Sequence, residues 1–178
     1  MIDILRDRRS IRKYKSKKIE DDKIDKLKEA VLRSPSSRGR NPWRFIFVDK
    51  PQLIDNLAYS KEHGSKFLVG APLAVVVCGE HEKSDVWVED CSIASIILQL
   101  TAQSLQLGSC WIQIRNRMHD PNTNSEEYVK ELLKIPDKFR IESIIGIGYP
   151  DEEKSGIPQS ALQFDKILTN YYEVKAGK

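Results

Sequence analysis

Between Cys91 and Ile114 the chain carries no charged residue. A bilayer span needs about 20 mostly apolar residues. This stretch is broken by Gln99, Gln103 and Gln106, by Ser92, Ser95 and Ser104, and by Gly108. It therefore reads as a helix buried on most of its sides, followed by a buried strand. The helix is expected over roughly 85–106 with Gly108 as its C-terminal stop, and the strand over 109–114. No membrane partner is expected.

A second run, Leu73–Gly79 (LAVVVCG), is apolar throughout and has strand length, so it is expected at the centre of a sheet. Arg44–Asp49 and Glu142–Tyr149 read as further strands. A helix fits Asp21–Arg33, with Ile24, Leu27 and Val31 on one face and Asp21 and Asp22 at its positive end. Residues 2–9 suit a helical turn, and Pro51 opens a short helix through Tyr59. Asn124 or Ser125 caps a helix that ends at Leu133, before Pro136. Helices and strands mix without a regular βαβ rhythm, which predicts an α+β fold. There is no GxGxxG or P-loop, and Gly146-Ile147-Gly148 lacks a following Gly-rich turn. No repeat or linker divides the 178 residues, so one domain over 1–178 is expected.

A net charge of +3 does not by itself imply a nucleic-acid or membrane partner. Cys78, Cys91 and Cys110 are far apart and lack metal-ligand spacing, so they read as reduced thiols. The N-terminus is charged from Asp3 onward, unlike a secretory leader, and a cytoplasmic location is expected.

Three segments offer chemistry. Arg8-Arg9-Ser10-Ile11-Arg12 sets guanidinium forks beside a hydroxyl, a combination suited to phosphate oxygens. The same residues also suit a solvated basic arm. A nucleic-acid arm is poorly supported, because Tyr14 is its one interleaved aromatic. The loop from Pro35 to Trp43 offers hydroxyls, an asparagine and free amides to a polar heterocycle, or serves as a plain connection. Gly108-Ser109-Cys110-Trp111-Ile112-Gln113 suits the floor of a flat-ring pocket, or a helix stop and a core tryptophan. No charged residue or linked histidine activates Cys110, so an inert thiol is expected.

Together these motifs resemble the nitroreductase family. The resemblance rests on Arg-Arg-Ser-Ile-Arg-x-Tyr near the N-terminus and on Ser-Pro-Ser-Ser-Arg-Gly-Arg-Asn-Pro-Trp-Arg-Phe. It also rests on Leu-Gly-Ser-Cys-Trp-Ile, and on Leu-Leu-Lys-Ile-Pro-Asp before Ile-Gly-Ile-Gly-Tyr-Pro. Order and spacing agree over about residues 3–172. The resemblance implies a mainly antiparallel sheet flanked by helices, in an intertwined homodimer with two FMN sites at the subunit interface. It implies NADH or NADPH as electron donor, and a nitroaromatic, quinone or other small acceptor. Flavin reduction, enone reduction, dehalogenation and non-catalytic FMN binding remain open on the same fold.

By position, the resemblance puts Arg8, Arg9, Ser10 and Arg12 at the FMN phosphate and ribityl end. It lines the flavin with Pro35, Ser36, Ser37, Gly39 and Asn41, the last at or near the second subunit's side. Trp111, Ile112 and Gln113 would lie by the ring, with a backbone N–H near Gln113 facing flavin N5, and Gly148 near the phosphate. The acceptor pocket is expected from 60–69 and 115–124, where Arg115 and Arg117 suit either an anionic acceptor or simple solubility. The tail, with Phe164, Ile167, Leu168 and Tyr171, is expected to embrace the partner. Two departures stand out. Gly39 and Asn41 replace residues that are often asparagine and glutamine in the family. Pro158–Leu162 lacks the Lys-x-Arg pair that many members bring to the phosphate, which leaves the N-terminal arginines as its main grip. No protein acid or base is expected.

Overall fold

The computed structural model describes residues 1–172. Nine regular elements follow in order: α1 (Ile2–Asp7), α2 (Asp21–Leu32), β1 (Trp43–Val48), α3 (Pro51–Leu57), β2 (Leu73–Glu80), α4 (Trp87–Ser104), β3 (Gly108–Gln113), α5 (Ser125–Leu133) and β4 (Phe139–Gly148). The four strands form one sheet in the order β1-β2-β4-β3, and every neighbouring pair is antiparallel. This is the α+β arrangement expected from the sequence.

The continuous apolar run of β2 has a simple cause. Side chains alternate across a strand, and here both faces are covered. Val75 and Val77 pack with Leu27 and Val31 of α2 and Leu98 of α4. Ala74 and Val76 pack on the other side with Ile54 and Leu57 of α3 and Val129 of α5. The helix–sheet–helix layering thus demands apolar residues at successive positions. Asn124 supplies the N-cap of α5, its side chain accepting the Glu127 N–H at 2.8 Å.

Two expectations need correction. Gly108 does not stop α4. Gln106 makes the turn, at φ 63°, and Leu107 N–H reaches back to the Ala102 carbonyl at 2.9 Å. Gly108 is the first residue of β3, where a Cβ would lie 2.7 Å from Cβ of Ile11 and within 2.9 Å of two more Ile11 carbons. The glycine is needed for close approach of the N-terminal segment to the sheet. Gly108→Ala is expected to overpack this contact and cost about 1–3 kcal/mol; an unchanged thermal midpoint would contradict it. Also, β4 begins at Phe139 rather than Glu142. Arg140 hid the start because its charge is met within the fold, through a two-pronged contact with Glu126.

Candidate functional site

The basic N-terminal segment is not a loose arm. Ser10 bridges Ser109 of β3 in parallel, and Ile11 N–H donates to the Ser109 carbonyl at 3.0 Å. Further on, Tyr14 bridges Pro150, and Lys15 N–H donates to the Tyr149 carbonyl at 2.9 Å. The Tyr14 hydroxyl donates to the Ile11 carbonyl at 2.7 Å, and burial pushes its pKa up. Residues 10–15 therefore run as an ordered ribbon along the Gly108 and Gly148 end of the sheet. Gly148 pairs with Gly108, and a Cβ there would strike Pro72 and Tyr14.

This backbone holds arginines whose charges no carboxylate meets among the described residues. None of the ion pairs among the described residues uses Arg8, Arg9 or Arg12. The Arg12 guanidinium lies 5.9 Å from the centre of the Phe67 ring, and Arg9 donates to the Ser155 carbonyl. An ordered backbone that presents such guanidinium forks has the chemistry to take anion oxygens. Burial raises the Cys110 pKa, opposed by Arg12, the Ser10 hydroxyl, Lys154 and Arg8. Burial also pushes Cys78 up to about 12, and no cysteine is set up as a nucleophile.

The Pro35–Trp43 loop is built as a tight cradle. Arg38, Gly39 and Asn41 all have left-handed backbones, at φ 54°, 62° and 46°. Ser36 Oγ accepts the Asn41 N–H at 2.8 Å and donates to its side-chain oxygen at 2.6 Å. Asp90, buried in the first turn of α4, accepts the Ser37 N–H at 2.8 Å and the Ser84 hydroxyl at 3.1 Å. Sequence reasoning missed Asp90 as the loop's anchor. Its signal was an acid in a helix's first turn, where carboxylates are also common for the dipole alone.

On β3, Trp111 and Gln113 share the face toward α2 and α4. The Trp111 indole N–H donates to Gln113 at 3.0 Å, and Gln113 donates to the Arg115 carbonyl at 3.1 Å. Ile112 points the other way and is fully buried in the α3–α5 core. By the strand's alternation, its backbone and not its side chain faces the surface on which Trp111 and Gln113 stand. Beside Gln113, burial raises the pKa of Glu142. The two stretches expected around the acceptor touch where the Glu62 N–H donates to the Met118 carbonyl at 3.3 Å; just before the first of them, the Tyr59 carbonyl lies 2.7 Å from His119 Nδ1.

The structure does not bring all the expected site residues together within one chain. Trp43, at the end of the loop, pairs with Gly79, which pairs with Arg140 of β4, whereas Ser109 pairs with Ile147. These rungs lie seven residues apart on β4, roughly 23 Å at about 3.3 Å per residue. β1 and β3 are also the opposite edges of the sheet, roughly 14 Å apart at about 4.8 Å per strand. The loop and the arginine ribbon thus occupy diagonal corners.

Among the described residues, no three His, Cys, Asp or Glu side chains gather as a metal site, and no helix is long and apolar enough to cross a membrane. The chain matches the model of the nitroreductase family over residues 5–64 and 56–149. A relative from Archaeoglobus fulgidus that carries the name NADH dehydrogenase/NAD(P)H nitroreductase is 34% identical over 151 residues, 83% of each chain. The solved structure of an FMN-dependent nitroreductase from Clostridium difficile R20291 superposes with a TM-score of 0.95 at 48% identity, over 97% of this chain and 100% of that one. A structure from Parabacteroides distasonis, under the same name as the archaeal relative, gives 0.86 at 33% identity, over 96% and 98%.

Proposed function

The chain belongs to the nitroreductase family, and from that premise we propose that it is an FMN-dependent NAD(P)H oxidoreductase acting on a small acceptor such as a nitroaromatic or quinone. The observation that carries the reading is the ordered Arg8–Arg12 ribbon, whose guanidiniums have no carboxylate partners among the described residues. This ribbon fits the phosphate of FMN. When bound, FMN supplies the redox chemistry, taking hydride from a nicotinamide and passing electrons to the acceptor.

The protein's part is binding and orientation. Arg8, Arg9, Ser10 and Arg12 hold the phosphate and ribityl end, and Gly148 lets the ribbon lie close. Trp111 and Gln113, with the Ile112 backbone, flank the ring. The other side is supplied by Pro35, Ser36, Ser37, Gly39 and Asn41 of a second chain. The diagonal separation within one chain supports that division, since one ring cannot touch both corners.

A homodimer is also supported by the surface. The side of α4 left uncovered presents Ile93 and Ile96, each 40% exposed, and α1 exposes Ile2 and Leu5. The tail exposes Ile157, Leu162, Phe164 and Ile167, an apolar surface that a second molecule would cover. We place this single-domain enzyme in the cytoplasm, in keeping with three buried free thiols.

The test is an anaerobic spectrum of the protein loaded with FMN. Bleaching by NADH or NADPH, with colour restored by a nitroaromatic or quinone, is expected and identifies the donor. A flavin that neither nicotinamide reduces would leave a binding protein and no enzyme.

A further inference from the structure

The tail stretch Pro158–Leu162 lacks the cations that the family resemblance implies at the phosphate, yet the chain reaches the arginine ribbon by another route. Resting on the proposed FMN site, we propose that Lys154 is the tail cation of the phosphate end, held there by Glu152.

Residues 152–156 cross directly over the ribbon. The Lys154 ammonium donates to the Ser10 carbonyl at 2.9 Å and to Glu152 Oε1 at 2.8 Å. Glu152 in turn accepts the backbone N–H of Arg12, and Arg9 donates to the Ser155 carbonyl. Gly156 rests against the Arg6 carbonyl, where any side chain would collide with the backbone. Five contacts from residues 152–156 therefore fix where Lys154 stands. An ammonium has three donors, and two are used, which leaves one for a ligand oxygen. Its side chain is 27% exposed, so it is drawn in rather than left in solvent. Lys154 also stands with Arg8 and Arg12 among the charges that act on the buried Cys110 thiol. A phosphate brought to Ser10 and Arg8 would meet this third cation, because Lys154 is bonded to Ser10 itself. Glu152 acts as a positioning residue: its carboxylate ties the lysine to the backbone of Arg12 and lowers the entropy lost when the phosphate is gripped.

The test compares FMN with riboflavin, which lacks the phosphate, by quenching of flavin fluorescence on titration with apoprotein. Lys154→Gln and Lys154→Ala are each expected to weaken FMN about tenfold, the size of one charge-assisted hydrogen bond, and to leave riboflavin unchanged. Lys154→Arg should restore most of the FMN preference. Riboflavin binding checks the fold of each variant. Equal loss for both flavins would make Lys154 a mere clasp and overturn the assignment. A full FMN preference in Lys154→Gln and Lys154→Ala would overturn it while leaving the FMN site standing. A wild-type protein that binds neither flavin would overturn the proposed function and this assignment together.

Discussion

Ile93→Glu combined with Ile96→Glu is expected to give a monomer that no longer holds FMN. Both residues lie on the uncovered stripe of α4, which continues through the part-buried Ile97 and Leu100. The opposite face carries Ala94, Leu98 and Ala102 into the core. In an isolated chain the new carboxylates sit in water and disturb little. In a dimer packed on α4 each would be buried without a partner, at a cost of several kcal/mol. The mass by light scattering should halve. FMN affinity should fall by at least about 100-fold, since the Ser36–Asn41 corner then has no ring to line and several polar contacts are lost at once. Persistence of the dimer would show that α4 is not its seam, and a monomer with undiminished affinity would refute the shared site.

Arg8→Ala is expected to weaken FMN about 10- to 100-fold, or about 1.5–3 kcal/mol, the range for hydrogen bonds to a charged group. Arg8 enters none of the ion pairs among the described residues. Its loss should therefore leave the thermal midpoint of the apoprotein near that of the wild type. The ribbon itself is fixed by backbone contacts of Ser10, Ile11 and Lys15, which the substitution does not touch. Calorimetric titration with FMN decides the matter. Wild-type affinity in Arg8→Ala would remove Arg8 from the phosphate site and shift the grip to Arg9, Arg12 and Lys154.

The layers of the fold were legible where burial leaves a periodic or continuous mark. Leu73–Gly79 betrayed a strand covered on both faces, and the uncharged stretch from Cys91 betrayed α4. Charges satisfied inside the fold erased that mark. Arg140 looked like a loop residue until Glu126 stood opposite it, and β4 lost its first three residues to that appearance. Gly108 was legible as a special position but for the wrong reason, because its partner Ile11 is far away in sequence.

The candidate site was legible as a set of motifs and not as a geometry. Nothing local tells that the Ser36–Asn41 loop and the Arg8–Arg12 ribbon finish at opposite corners of one sheet. That follows from strand order, which depends on pairing between distant residues. The same holds for Asp90, whose role comes from a loop 53 residues earlier, and for Lys154, which reaches Ser10 across the whole chain.

If two chains build each flavin site, mixing two differently defective chains will restore some sites. Arg8→Ala disables the ribbon corner, and Asn41→Trp blocks the exposed loop corner. Each variant alone should bind FMN poorly at both of its sites. Unfolded together and refolded, they should form mixed dimers in which one site takes both lesions and the other takes neither. About half of the mixed dimers' sites are expected to recover wild-type FMN affinity. No recovery, with both variants folded and dimeric, would mean that the ribbon and the loop serve the same flavin from one chain, and would refute the shared site.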